Sequence, residues 1–156
     1  MKPILLIAAL SGFSTSAYGQ VVNDCYSETA DSYLTDIRVI PEPWEINTRT
    51  FANGDVRLVL LDTWDPANYA VHLMVTYVDP SRHESEGRAC VIVSDNEGLG
   101  FENMSLLDMG ASYDPAKGLT FSIEAERHDP DSDSVDHGLL EVILNRATGQ
   151  VTARFQ

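Results

Sequence analysis

The chain has 156 residues, of which 44% are hydrophobic, and a formal net charge of −14 at pH 7. A chain of this length builds one domain with a real core and not two. Its negative charge repels nucleic acid and anionic membranes, so it excludes nucleic-acid binding and favours a cationic protein, a cell-envelope component or a divalent cation as partner.

Residues 1–19 have the layout of a cleavable signal peptide. Lys2 precedes an apolar run at residues 4–10, and the small residues Ala17 and Gly19 stand at the −3 and −1 positions before Gln20. The run is far shorter than the roughly 20 apolar residues that span a bilayer. We therefore expect export to the periplasm or the extracellular medium, without membrane insertion after cleavage.

Two cysteines, Cys25 and Cys90, follow the leader. In an oxidising compartment such a pair predicts one disulfide, whereas redox or metal chemistry uses close Cys-x-x-Cys spacing. The bond would close a loop of about 65 residues and stabilise the fold by up to about 4 kcal/mol. We expect it to tie an N-terminal segment, residues 20–40, to a single antiparallel β domain, residues 41–156.

The segment after the leader is polar, with at most a short helix near residues 28–34, and strands begin after Pro41-Glu42-Pro43. Strands are predicted at residues 45–52 and 56–63, joined by a hairpin turn at Asn53-Gly54. Further strands are predicted at 69–78 and 88–94. Residues 88–94 are apolar on both faces, which indicates a central strand.

The second half continues in the same style. Residues 119–126 alternate apolar and polar side chains, and residues 139–144 and 151–155 flank a loop that ends in Gly149. No apolar stripe of helical period persists. The predicted fold is mainly β, an antiparallel sandwich or small barrel of about seven to nine strands.

One motif recurs along the chain. Trp64-Asp65-Pro66-Ala67 is matched by Tyr113-Asp114-Pro115-Ala116, and each is followed by a strand, an Asp-Pro loop, a glycine and another strand. A duplicated β unit would produce this order. Two hairpins that independently use common turn residues would produce it as well.

The most acidic loop contains four carboxylates that alternate with other residues. Converging carboxylates bind calcium, and this loop offers the candidate ligands Asp129, Asp131, Asp133 and Asp136. Ser134 stands where the twelve-residue calcium loop needs glycine, so a solvated hairpin loop is the alternative. Zinc held by His128 and His137 would lack a third ligand at useful spacing. No other cofactor is expected.

No residue is assigned a catalytic role. The chain lacks a Gly-x-Ser-x-Gly nucleophile motif, and its many acidic residues make any choice of a catalytic pair arbitrary. His72 is expected at the surface or in strand pairing, and His83 in solvent. These observations favour a protein that is not an enzyme, with a hydrolase that carries no recognisable motif as the alternative.

Aromatic side chains offer the remaining indication of function. Trp44 lies beside prolines and Trp64 at a strand end, so both are expected to be partly exposed and to form a binding face. Small exported barrels that inhibit lysozymes share the size, compartment and disulfide, but this is a likeness of architecture alone. The sequence predicts a non-catalytic binding or interaction protein of the cell envelope, with weak calcium binding as an alternative.

Overall fold

Nine strands in two antiparallel sheets make up most of the described chain, which comprises residues 19–26, 32–64, 69–129 and 131–156 of a computed structural model. The leader prediction therefore lies outside the described residues, except at Gly19. The two sheets do not close on each other, and the architecture is the predicted sandwich.

The first sheet has the strand order β1-β5-β4-β3-β2. Its strands are β1 (Val21–Asp24), β2 (Thr48–Phe51), β3 (Val56–Asp62), β4 (Val71–Tyr77) and β5 (Ala89–Ser94). The fifth strand lies between β1 and β4, which confirms the prediction of a central strand at residues 88–94.

The second sheet is a four-stranded meander. Its strands are β6 (Asn103–Asp114), β7 (Gly118–Asp129), β8 (Ser134–Asn145) and β9 (Gln150–Phe155), paired in chain order. Alternating residues of β7 face the first sheet, and Phe121 and Ile123 are fully buried. The main core fills the space between the two sheets because each strand presents one apolar face to it.

A second, smaller core covers the outer face of the first sheet. It joins side chains of β3 and β5 to the N-terminal segment, and its buried members are Cys25, Leu34, Val59, Leu61, Cys90 and Ile92. Cys25 and Cys90 form the predicted disulfide within this layer. Both faces of the first sheet are consequently covered, whereas the outer face of the second sheet meets solvent.

Turn chemistry accounts for the hairpins. Asn53 and Gly54 have φ values of 58° and 91°, and Gly149 has a φ of 73°. Glycine and asparagine adopt these left-handed conformations at low cost, which is why the two hairpin predictions are confirmed.

Four elements differ from the sequence prediction, and one of them is β1, a strand that was not predicted. The short helix near residues 28–34 is instead a 3-10 turn at Ser32–Thr35, followed by another at Ile37–Val39, and residues 27–31 lie outside the described part. The predicted strand 45–52 is shortened to β2. Strand β6 was not predicted, because a large bulge places its residues 106–109 opposite Ile123 alone and interrupts the alternation.

The two copies of the recurring motif are associated with the two meanders, although residues 65–67 of the first copy lie outside the described residues. The aromatic residue of the motif lies between β3 and β4 in the first sheet, and at the end of β6 before β7 in the second. Asp79 and Pro80 lie between β4 and β5, whereas Asp129 is the last residue of β7. The strands of β6–β8 have 12 residues each, against 6 or 7 in β3–β5. Duplication of a β unit stays a prediction, now with matching topology.

The two ends of the sandwich differ. At the end formed by the turns 52–55, 78–88, 114–118 and 145–150, which we call the turn end, contacts join the sheets: Arg146 pairs with Asp55 at 2.6 Å, and the Tyr77 hydroxyl donates to the Gly149 carbonyl at 2.7 Å. The opposite end contains the described residues 41–47, 63–64, 69–70, 95–102 and 131–133. We call it the tryptophan end.

Candidate binding groove at the tryptophan end

Trp44 and Trp64 lie together in one surface groove of about 280 Å³, which we call the tryptophan groove. Its lining residues are Ile37, Arg38, Ile40, Pro41, Glu42, Trp44 and Trp64. Trp44 is 47% exposed and Trp64 75%, which confirms the prediction that both are partly exposed. Large apolar side chains rarely cluster in water without a partner, so this surface is a candidate interaction site.

The loop that carries Trp44 is held rigid by its own hydrogen bonds. The side-chain amide of Asn47 donates to the carbonyls of Pro41 at 2.9 Å and Pro43 at 3.1 Å. The backbone N–H of Asn47 donates to the Trp44 carbonyl at 3.2 Å. The exposed indole is therefore presented from a pre-organised loop, which lowers the entropy lost on binding.

Trp64 has an unusual backbone conformation. Its φ is 59°, in the left-handed region that costs a bulky residue free energy, and its N–H donates to the Asp62 side chain at 2.9 Å. Such strain persists where the surrounding structure fixes it, and it concentrates at functional sites. The conformation leaves the indole ring outside the sheet and in the groove.

The positive charge that lines the groove is neutralised by a neighbouring residue, whereas the negative charge is not. The Arg38 guanidinium donates from Nε and Nη2 to both Asp36 oxygens, each at 2.9 Å, and this contact lowers the pKa of Asp36 to about 2. Glu42 is exposed, and within the described residues no hydrogen bond or ion pair engages its carboxylate. The uncompensated charge of the groove is consequently negative.

The N-terminal segment supplies one wall of the groove. Ile40 packs against the small core that contains the disulfide, and Ile37, 60% exposed, lies in the 3-10 turn before it. Ile37, Ile40 and Glu42 were not predicted as groove residues, because the short 3-10 turn and the bends that follow it have no apolar period. The prolines beside Trp44 were the available signal.

A larger cavity of about 760 Å³ also lies at the tryptophan end. It is lined by the start of β1, the loop after β5 and the end of β7, with Gln20, Asp95, Arg127 and His128 among its residues. Burial raises the pKa of Asp95, which accepts a 3.4 Å hydrogen bond from Gln20. His128 stacks on Tyr69 with ring centroids 4.9 Å apart.

Three of the four predicted calcium ligands, Asp129, Asp133 and Asp136, have carboxylates that lie near other partners. Asp129 accepts hydrogen bonds from the Asp131 N–H at 3.0 Å and from the Ser132 hydroxyl, which lowers its pKa. Asp136 pairs with Arg127 at 3.2 Å across the β7–β8 ladder. Asp133 is 3.9 Å from His128. Calcium binding by this loop stays a prediction.

The histidines are distributed over separate places. His72 is 6% exposed and pairs with Leu61 across β3 and β4, so the strand-pairing expectation is confirmed and the surface position is wrong, because residues near Gly100 cover that side chain. It contacts Ser94 at 2.8 Å. His83 contacts Ser85, His128 lies near Glu102, and His137 pairs with Glu126. Ser105, Glu126 and His137 line one surface pocket of about 370 Å³, in which His137 contacts Glu126 at 3.1 Å.

The other aromatic residues have different roles. Tyr77 and Phe101 are buried in the main core, and Tyr113, 65% exposed, lies at the turn end. They do not join the tryptophan groove.

Comparisons of the chain with protein-family models, with curated proteins and with solved structures gave no match. In the described part of the chain, no helix is long and apolar enough to cross a membrane. The observations define a disulfide-linked β-sandwich domain with an exposed tryptophan groove.

Proposed function

We propose that the protein is an exported, non-catalytic binding domain that holds a cationic protein partner of the cell envelope in its tryptophan groove. The observation that carries this proposal is the meeting of Trp44 and Trp64, which are distant in sequence, in one exposed groove on loops of a rigid sandwich. Loops positioned by a rigid scaffold commonly carry binding residues.

Two further properties support the proposal. The net charge of −14 attracts cationic proteins and accelerates their encounter at low ionic strength. Export is supported by the leader pattern and by the disulfide, because such bonds persist in oxidising compartments.

The test is direct binding to cationic proteins. Immobilised lysozyme and cytochrome c are probed with the wild-type protein and with Trp44→Ala, Trp64→Ala and Tyr113→Ala variants. Since tryptophans are frequent hot spots, we expect each tryptophan variant to bind about tenfold more weakly or worse. Tyr113→Ala, an exposed aromatic at the turn end, should bind like wild type.

Two outcomes contradict the proposal. One is the absence of binding to both cationic proteins at low ionic strength. The other is equal binding by all four proteins, which would show that the charge acts without the groove.

A further inference from the structure

The size of the tryptophan groove limits what it can hold. Its volume of about 280 Å³ lies just below the roughly 300–1,000 Å³ of pockets that enclose a drug-sized ligand. A helix or a strand would not fit inside it. The groove accommodates one long side chain that protrudes from a partner's surface.

The walls of the groove select the shape of that side chain. Ile37, Ile40 and Pro41 offer apolar surface, and the two indoles offer flat aromatic faces. Apolar walls suit an aliphatic stem, and an indole face attracts a cation placed over it. A side chain with both an aliphatic stem and a cationic group matches these walls.

The charges that line the groove also favour a cationic side chain. Arg38 is neutralised by its two hydrogen bonds to Asp36, so it does not repel an incoming cation strongly. Glu42 lines the groove and keeps an exposed carboxylate. A carboxylate beside aromatic faces favours a guanidinium over an ammonium, because the planar guanidinium stacks on the rings while it donates to the carboxylate.

We infer that the tryptophan groove receives an arginine side chain of the partner, with the guanidinium against the indoles of Trp44 and Trp64 and paired with Glu42. This inference rests on the proposed function, since it names the chemistry that the partner presents. Recognition of one arginine makes the partner a cationic protein with an exposed, protruding arginine.

The chain supplies its own reporter for the test. Trp44 and Trp64 are its two tryptophans, so every indole N–H signal in a nitrogen–proton correlation spectrum comes from the groove. Four pentapeptides, Gly-Gly-X-Gly-Gly with blocked ends, are titrated into the full protein. X is arginine, lysine, citrulline or norleucine, and citrulline is the neutral match of arginine.

We expect the arginine peptide to shift both indole signals with the lowest dissociation constant. Loss of the charge in citrulline should weaken binding about tenfold, because cation–π attraction and the pairing with Glu42 are both removed. Glu42→Gln should weaken arginine binding about threefold and leave citrulline binding unchanged. Glu45→Gln, a neighbouring exposed glutamate, serves as the matched control and should leave both unchanged.

Each alternative outcome overturns the inference. If the arginine and citrulline peptides bind equally, the positive charge has no role in binding. If the lysine peptide binds as tightly as the arginine peptide, the groove has no preference for arginine. If no peptide shifts the indole signals, the groove does not bind a single side chain. None of these outcomes removes the proposed function, which fails separately if the tryptophan variants bind cationic proteins like wild type.

Discussion

Asn47 shows how one side chain can organise an exposed surface. Its amide bridges the carbonyls of Pro41 and Pro43, on either side of Glu42. We predict that Asn47→Ala costs about 1–3 kcal/mol of unfolding free energy for two lost hydrogen bonds, and that it weakens binding to cationic proteins because Trp44 loses its fixed position. Urea denaturation and binding titrations measure the two effects.

The matched control is Asn96→Ala, which removes an exposed asparagine from another loop of the tryptophan end. It should leave binding unchanged. If Asn47→Ala binds as tightly as wild type, pre-organisation of the Trp44 loop has no role.

His72 gives a prediction about acid stability. Burial lowers its pKa from 6.5 to about 4, and the flanking residues Leu61 and Ser94 do not titrate. The unfolded state therefore binds the proton more readily between these pH values, and stability must fall as the pH falls from 6.5 towards 4. The loss from this group is at most about 3 kcal/mol.

Denaturation of wild type and His72→Gln across pH 7 to 4 measures this loss as the difference in slope between the two proteins. His83→Gln, at an exposed position, should keep the wild-type slope. Parallel profiles for wild type and His72→Gln would contradict the assignment.

At the residue level, the exposure of the two tryptophans was predictable from neighbouring prolines and a strand end. The burial of His72 was not, although its face of the strand was correct. Alternation along a strand tells which residues share a face, but the cover on the outer face of the first sheet comes from a segment distant in sequence.

The N-terminal segment is the element on which the tryptophan groove depends. It is fixed by the disulfide and by Leu34, and it ends in the groove wall. We predict that the Cys25→Ala, Cys90→Ala double variant loses up to about 4 kcal/mol of unfolding free energy and binds cationic proteins more weakly.

Amide hydrogen exchange checks this prediction. Exchange should rise in residues 34–40 and around Trp44, whereas β7 and β8, in the main core, serve as the internal control. Unchanged exchange in residues 34–40 would show that the segment is held without the disulfide.

The acidic loop between β7 and β8 carries the calcium hypothesis. If its carboxylates bind the ion, millimolar calcium raises the melting temperature, and an Asp131→Asn, Asp133→Asn double variant abolishes the rise. Magnesium at the same concentration controls for general charge screening. A melting temperature that calcium leaves unchanged contradicts the hypothesis and leaves a hairpin loop whose Asp129 stabilises the turn.

The architecture of the whole molecule followed from the sequence because period-2 alternation and turn residues are local signals. Strands β1 and β6 escaped prediction for physical reasons. The first has only four residues and contains Asn23 and Asp24, and the second is bulged and largely exposed along its second half. The tryptophan groove as a whole could not be predicted from the sequence, because it is formed by two loops that only the fold brings together.

Export is a prediction about the whole chain. Expression with the leader in a bacterial host should deliver a periplasmic protein whose N-terminal residue is Gln20, as intact mass and N-terminal sequencing would show. A cytoplasmic product that retains Met1 would contradict it.

The contrast between the two ends of the sandwich has a consequence for divergence. Arg146, Asp55, Tyr77 and Gly149 connect the sheets at the turn end, so substitutions there lower stability. At the tryptophan end, Phe101 and Asn47 contribute to stability, whereas the exposed side chains of Trp44 and Trp64 can change while the two cores stay intact. In a deep mutational scan scored for folding alone, many replacements of Trp44 and Trp64 should be tolerated, and few of the residues that connect the sheets at the turn end. Lineages with different partners would diverge first in the loops that carry Trp44 and Trp64.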